Sequence, residues 1–304
     1  MTKNIVFMGS PDFAAAVLKP LAQQFNVVGV VTQPDKPSGR GRVLTPPAVK
    51  VVAEELHLPV MQPLRLKNPE SFAQLESWHP DAIVVAAFGQ ILRQNVLDLP
   101  RLGCINVHAS YLPRWRGAAP IQAAILSGDE FTGVSIMKMD AGIDTGPVYR
   151  QVKEYIRPED TADSLGQRLA ELGARTLLAA LPEIFAGTLA AQDQVGEATY
   201  ASMLKKEEGL LDWTQPAVSL ERRVRAFNDW PGTYFLWKEA PLKVRRAQVI
   251  PSANTVPGRH LILAGLPAVQ TSSGSLQLLE VQPAGKKWMG GKDFLNGNPD
   301  WARE

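Results

Sequence analysis

The chain has 304 residues, 45% of them apolar and 20% charged, which supports a sizeable buried core and excludes a disordered, highly charged polymer. Its 32 Lys and Arg against 30 Asp and Glu leave a formal net charge of +2, which as a single number argues against a strongly nucleic-acid-binding chain. One cysteine, Cys104, excludes an intramolecular disulfide and a cysteine-built zinc cage.

The opening MTKNIVFMGSPDF reaches an acidic residue before the apolar core of an export signal could form. Asn4–Met8 (NIVFM) reads as a buried strand, followed by a GSPDF turn and an apolar stretch of helical spacing, Phe13–Leu21. Val27–Thr32 reads as a second strand, Ala48–His57 as a helix, Val60–Gln62 as a short strand and Pro69–Trp78 as a helix. Ala82–Ala87 (AIVVAA) is a strand. The longest apolar run, Ala82–Phe88, is too short to span a bilayer, so a cytoplasmic protein with no membrane partner is expected. Cys104–His108 (CINVH) and Gly133–Met139 (GVSIMKM) continue the series. Strands bounded by Gly, Pro and Asp and separated by helices predict an α/β fold: a Rossmann-like, mostly parallel sheet with helices on both faces. Ligands of such sheets bind at the carboxyl ends of the strands, near the switch in strand order.

Leu165–Phe185 reads as a long helix, and Ala186–Ser202 is small, polar and without period. Beyond it come a helix, Leu220–Phe227, and five strand-like runs: Thr233–Trp237, Lys243–Ile250, His260–Ala264, Ala268–Thr271 and Ser275–Val281. Pro, Gly, Ser and Asn separate them, which predicts a C-terminal β-barrel of OB-like type. The expected boundaries are residues 1–188 for the first domain, 189–205 for a linker and 206–304 for the second domain.

The first turn, Gly9-Ser10-Pro11, has one glycine where a dinucleotide fingerprint needs three, and no Gly-Lys-Ser/Thr follows a glycine-rich turn. NAD and ATP are therefore not expected. Pro11 fits the first turn of a helix, where its missing N–H costs nothing.

The densest polar signal is Gly103–Gln122, GCINVHASYLPRWRGAAPIQ. Asn106 and His108 alternate onto one face at the carboxyl end of a strand. Two such donors suit a carbonyl oxygen that is turning into an oxyanion. A glycine-flanked loop, Asp140-Ala-Gly-Ile-Asp144-Thr-Gly146, then brings two carboxylates, and one of them beside His108 would orient the ring and favour its charged form. A lone histidine at a strand end is also commonly a satisfied structural residue, and both readings stand on the residues alone. His57, His79 and His260 occupy ordinary structural contexts, and Cys104 reads as core on the Asn106 face. No second histidine lies at ligand spacing, so no metal is expected.

Residues 103–122 closely resemble the signature of the folate-dependent formyltransferases. Within that superfamily the chain is most similar to the methionyl-tRNA formyltransferases. The match runs through FMGSPDFA, TQPDKPSGRGR, GCINVHASYLPRWRGAAPIQ, AGIDTGPV, RAFNDWPGTYF and QPAGKK. The resemblance implies that Asn106, His108 and Asp144 are the catalytic trio. It implies folate contacts from Phe88, Gly89, Gln90 and Ile91, with Ala87, around the pterin. It implies further contacts from Ser110, Tyr111, Leu112 and Pro113, where Tyr111 replaces a more usual leucine. The implied formyl donor is 10-formyltetrahydrofolate and the implied acceptor is the α-amine of initiator methionyl-tRNA, with a monomeric protein and no metal. An amino sugar nucleotide is the alternative acceptor within the same superfamily.

The distribution of charge bears on that choice. Residues 1–188 carry 18 basic and 18 acidic side chains, whereas Lys205–Lys292 carries 13 against 7 and Asp35–Lys50 carries 4 against 1. The positive surplus therefore lies in one loop and in the second domain, where phosphate contacts would be made. The resemblance implies that Arg40 and Arg42 of this loop, with Lys36, meet the acceptor end of tRNA. Arg222, Arg223, Arg245, Arg246, Lys286 and Lys287 are the expected contacts in the second domain, with Arg225 beside them.

Overall fold

The computed structural model describes residues 2–38, 43–228, 230–253 and 256–302. The chain divides into two compact units. One comprises Met1–Pro120, Phe131–Tyr155 and Gly166–Ser202, and the other Ile121–Glu130, Ile156–Leu165 and Met203–Glu304.

The first unit is built on seven strands: β1 (Asn4–Gly9), β2 (Asn26–Val31), β3 (Val60–Met61), β4 (Ala82–Ala86), β5 (Cys104–His108), β6 (Phe131–Lys138) and β7 (Val148–Tyr155). They lie in the order β7-β6-β5-β4-β1-β2-β3. The five from β3 to β5 are mutually parallel. Their order reverses between β1 and β4, so the switch lies at Gly9 and Ala86. Ile5–Met8 are fully buried because helices cover both faces. Cys104 shares a core with Val6, Met8, Ile83, Leu75 of helix Pro69–Ser77 and Val96 of helix Gln94–Leu97. Val107, of opposite parity, faces helix Ala162–Ala186 so closely that a Cβ on Gly173 would lie 2.8 Å from its Cγ1.

Where the sequence suggested that Gly133–Met139 continues the parallel series, β6 runs antiparallel to both β5 and β7. His108 pairs with Ser135 and Ile105 with Lys138, so the chain re-enters the sheet at the edge where it left. Residues 109–130 form a loop and the short helix Pro120–Ser127, and no crossover carries them to the opposite edge. Pro11 caps helix Asp12–Gln24 from outside instead of lying in its first turn.

Gly29 of β2 shows how tightly the sheet is covered. A Cβ there would lie 2.4 to 2.6 Å from three atoms of the Trp78 ring. Gly29→Ala is expected to lower stability by roughly 1–3 kcal/mol through overpacking, although alanine is ordinarily the better strand residue. Urea unfolding checks this: the midpoint should fall with an unchanged slope, and an unmoved or raised midpoint would refute it.

Residues 35–50 are more regular than a bare loop. Lys36–Ser38 pairs antiparallel with Val43–Thr45, and Ala48–Glu55 is a helix. Arg40 and Arg42 lie outside the described residues. Lys50 is not part of an exposed basic surface, because its Nζ lies 2.8 Å from Asp35 Oδ2. The Gln62 amide and then Lys50 hold the Asp35 carboxyl below its ordinary range.

The second unit is an antiparallel sheet in the order Thr233–Trp237, Ala240–Ile250, Ser275–Gln282, Leu266–Gln270, His260–Leu263, with Met289–Gly290 beside Ser275–Gln282. Among the described residues no ladder joins the first of these strands to the last. Helix Ala217–Ala226 contributes Leu220 and Val224 to its core, and helix Gly291–Asn296 contributes Phe294. Trp301 lies inside with no exposed surface. Its indole Nε1 donates to the Leu261 carbonyl at 2.9 Å, and its ring stacks on His260 with centroids 4.1 Å apart. Among the described residues no helix is long and apolar enough to cross a membrane.

Candidate active site

Alternation along β5 sends Asn106 and His108 to the face that Cys104 occupies one step deeper. They are 8% and 6% exposed. Cys104 donates its thiol to the Val96 carbonyl, and burial, reinforced by the charge of Asp98, pushes that thiol up to about 12. A thiol held protonated in this way is not a nucleophile.

The loop between β6 and β7 supplies the opposite side of the site. Its two carboxylates do different things. Asp140 Oδ1 accepts from the Gly142 N–H at 3.0 Å and the Thr145 hydroxyl at 2.7 Å, so it shapes the loop. Gly146 comes so close to the strand end that a Cβ would lie 1.9 Å from the Lys138 carbonyl oxygen. Asp144, at φ +52°, turns its side chain inward. An aspartate tolerates that left-handed backbone better than most residues.

Asp144 Oδ1 accepts from Asn106 Nδ2 at 3.3 Å. Its Oδ2 accepts from the Gly117 N–H at 2.8 Å and faces His108 Nδ1 at 3.6 Å. The other ring nitrogen, His108 Nε2, lies 2.9 Å from the Trp115 carbonyl. A carbonyl only accepts, so Nε2 carries a hydrogen, and in the doubly protonated ring Nδ1–H points at the carboxylate. Asn106 Nδ2 and His108 Nδ1 thus converge on one anionic group. An oxygen atom developing negative charge would be received by the same two donors.

Three contributors escaped the sequence reading. The Gly117 N–H and the Trp115 carbonyl act through the main chain, which carries no residue-type signal. Gln194, in the expected linker, donates its amide to the carbonyls of Asp144 and Gly146 at 2.8 Å each.

The expected folate residues fall into two sets. Phe88 is buried in the core with Leu92 and Val96, and its carbonyl accepts from Gln33 Nε2 at 3.2 Å. Gly89 follows at φ +79°. Gln90 spends its amide on Leu66 N and the Pro63 carbonyl, while Ile91 is 87% exposed. Ser110 is fully buried and donates to the Arg114 carbonyl at 2.6 Å, and Leu112 is equally enclosed. These two shape the turn, which leaves the half-buried Tyr111 and Pro113 as its outward faces. Tyr111, Pro113 and Trp115 help line a cleft of about 650 Å³ whose walls do not include Phe88–Ile91.

The expected tRNA residues also divide. Arg222 donates to the Ser127 carbonyl at 3.4 Å and Arg223 to the Glu208 carbonyl at 2.8 Å, so both are tied to the main chain. Arg225 is paired with Glu221 at 2.6 Å. Lys36, Arg245, Arg246, Lys286 and Lys287 are exposed. Arg245 lies 3.7 Å from Glu280 and 5.7 Å from the centre of the Trp288 ring, and Lys286 and Lys287 occupy the neighbouring turn before Met289–Gly290. Among the described residues no group of three His, Cys, Asp or Glu side chains could hold a metal ion.

Residues 3–181 match the Formyl transferase family, and residues 203–299 match Formyl transferase, C-terminal domain. Among solved structures, HypX from Aquifex aeolicus in complex with tetrahydrofolic acid superposes with a TM-score of 0.65 at 17% identity, covering 97% of this chain and 47% of HypX. The chain therefore spans about half the length of HypX. An N-formyltransferase from Helicobacter canadensis, solved with folinic acid and dTDP-3-aminofucose, gives 0.67 at 16% identity, covering 93% of this chain and 100% of that one. A methionyl-tRNA formyltransferase from Clostridium thermocellum gives 0.55 at 18% identity, covering 81% of this chain and 93% of that one. The chain belongs to the formyl transferase family.

Proposed function

We propose that this member of the formyl transferase family moves the formyl group of 10-formyltetrahydrofolate to the α-amine of initiator methionyl-tRNA. The chemistry rests on one observation: Asn106 Nδ2 and His108 Nδ1 converge on the Asp144 carboxylate. The amine, in its neutral form, attacks the formyl carbon, and the carbonyl oxygen takes up negative charge as the new C–N bond forms. Asn106 and the His108 Nδ1–H donate to that oxygen. The Trp115 carbonyl holds the far side of the ring, so the ring cannot swing away from its task. Asp144 accepts the proton released by the attacking nitrogen and returns it, directly or through a water, to N10 as the old C–N bond breaks. Tetrahydrofolate leaves as a neutral amine, and no covalent enzyme intermediate is needed.

The nature of the acceptor rests on the exposed cations Arg245, Arg246, Lys286 and Lys287 and on Trp288, whose ring lies beside Arg245, a combination suited to phosphates and an exposed base. An amino sugar nucleotide is the second reading, favoured by the fold likeness to the Helicobacter canadensis N-formyltransferase. A transfer assay from 10-formyltetrahydrofolate, offering methionyl initiator tRNA, methionyl elongator tRNA and a dTDP-amino sugar in parallel, separates them. Formylation of the initiator tRNA is expected. Formylation of the sugar nucleotide alone would overturn the tRNA reading.

The surface carries its own expected result. Lys286→Ala with Lys287→Ala should weaken tRNA binding and flatten its dependence on salt, lowering the log–log slope by about 1–2. KM for the formyl donor should not move. An unchanged slope in a salt titration of the double variant would remove these lysines from the tRNA surface.

A further inference from the structure

Residues 192–201 do not hang free of the first unit. Gln192 exchanges two main-chain hydrogen bonds with Val148, at 2.7 and 2.9 Å. The Thr199 carbonyl accepts from Arg116 N and its hydroxyl from Trp115 N, both at 2.9 Å, and Tyr200–Ala201 pairs with Arg116–Gly117. Between these two anchor points Gln194 is half-buried, while its neighbours Asp193 and Val195 are exposed.

The Gln194 side chain uses its whole hydrogen-bonding capacity. Its Oε1 accepts from Arg116 Nε at 3.1 Å and Nη2 at 2.8 Å. Its Nε2 donates to the carbonyls of Asp144 and Gly146, both at 2.8 Å. The orientation of the amide is fixed by chemistry: a guanidinium only donates and a carbonyl only accepts, so the reversed amide would oppose like groups at every contact. The two carbonyls it grips bracket the turn that begins at Asp144 with φ +52°. The peptide after Arg116 supplies the Gly117 N–H that holds Asp144 Oδ2. One arginine therefore orders both routes to the same carboxylate.

We infer that Gln194 is a positioning residue for formyl transfer: braced by Arg116, it holds the Asp144–Gly146 turn so that the Asp144 carboxylate faces Asn106 and His108. It touches none of these three side chains and acts through the main chain of the loop. For the reaction it serves, the inference rests on the function proposed above. A carboxylate allowed to drift by about 1 Å commonly costs catalysis one to two orders of magnitude.

Gln194→Ala and Gln194→Glu test it. The glutamate variant keeps the shape and the bond to Arg116 and lacks the two N–H groups, so it serves even where the alanine variant fails to fold. Each is expected to lose about ten- to a hundred-fold in kcat, with KM for 10-formyltetrahydrofolate and the thermal midpoint little changed. Combining either with Asp144→Ala should cost nothing beyond Asp144→Ala alone, because the two changes remove one function. A merely structural glutamine would instead add its loss to that of Asp144. Turnover within about twofold of the unmodified protein for Gln194→Glu, or multiplicative losses in the double variant, would overturn the proposal. Amide exchange at Gly117, measured by NMR without any substrate, reads the same clamp independently: it should accelerate in both variants, and unchanged protection counts against the inference. Activity of the unmodified protein toward each acceptor is recorded in the same assay. Failure of the tRNA reading then shows there, while the Gly117 amide still decides the role of Gln194.

Discussion

His108→Ala is expected to lower kcat by about 10²–10³ in a protein that still folds, because one of the two donors proposed for the developing oxyanion disappears. The ring is held at both ends. Nε2 meets the Trp115 carbonyl at 2.9 Å and Nδ1 faces Asp144 Oδ2 at 3.6 Å. Deleting it leaves Asp144 with the Gly117 N–H and Asn106, so the carboxylate is not orphaned and the fold has no reason to collapse. The strand itself is secured by Ile105 and Val107, both buried. Asn106→Ala removes the other proposed donor and should fall in the same range, and Asp144→Ala removes the proposed proton acceptor. Saturation kinetics with 10-formyltetrahydrofolate, beside thermal melting of each variant, provide the check. Near-normal turnover by a folded His108→Ala protein would eliminate the proposed role of the trio.

Trp301→Ala should destabilise the second unit by about 3–5 kcal/mol, the largest stability effect expected in the chain. The side chain is wholly buried among Phe235, His260 and Phe294 near the end of the chain. Its loss would leave a cavity lined by three separate elements, two strands and a helix, and would strip the Leu261 carbonyl of its donor. Trp301→Phe keeps an aromatic ring against His260 and loses the indole N–H, so it should cost less, about 1–2 kcal/mol. Urea unfolding followed by near-ultraviolet circular dichroism distinguishes the pair. Equal midpoints for the two variants would place the stabilisation in the hydrogen bond instead of the packing.

The site was partly legible because strand periodicity is local. Asn106 and His108 two residues apart at the end of an apolar run must share a face, and β5 bears that out. The loop DAGIDTG offered two carboxylates with nothing to rank them, except through family resemblance. Folding ranks them physically: Asp140 is consumed by Gly142 and Thr145 of its own turn, whereas Asp144 is turned inward. Counting charges located a positive surplus but could not see commitments. Lys50 belongs to Asp35, Arg223 to the Glu208 carbonyl and Arg225 to Glu221, while Lys286 and Lys287 remain exposed.

By itself the sequence determined the alternation of strands and helices, the parallel order's signature of fully apolar strands, the change of texture beyond residue 202 and the pairing of Asn106 with His108. All of these follow from the identities of residues within a few positions of one another. The direction of β6, the division of labour between Asp140 and Asp144, and the attachment of Gln194 to the Asp144–Gly146 turn were decided only by the tertiary structure. Each depends on groups tens of residues apart meeting within hydrogen-bond reach: Gln194 is 50 residues from the Asp144 carbonyl it holds. A polar side chain without period looks like solvent-facing linker until the fold shows which carbonyls it must satisfy.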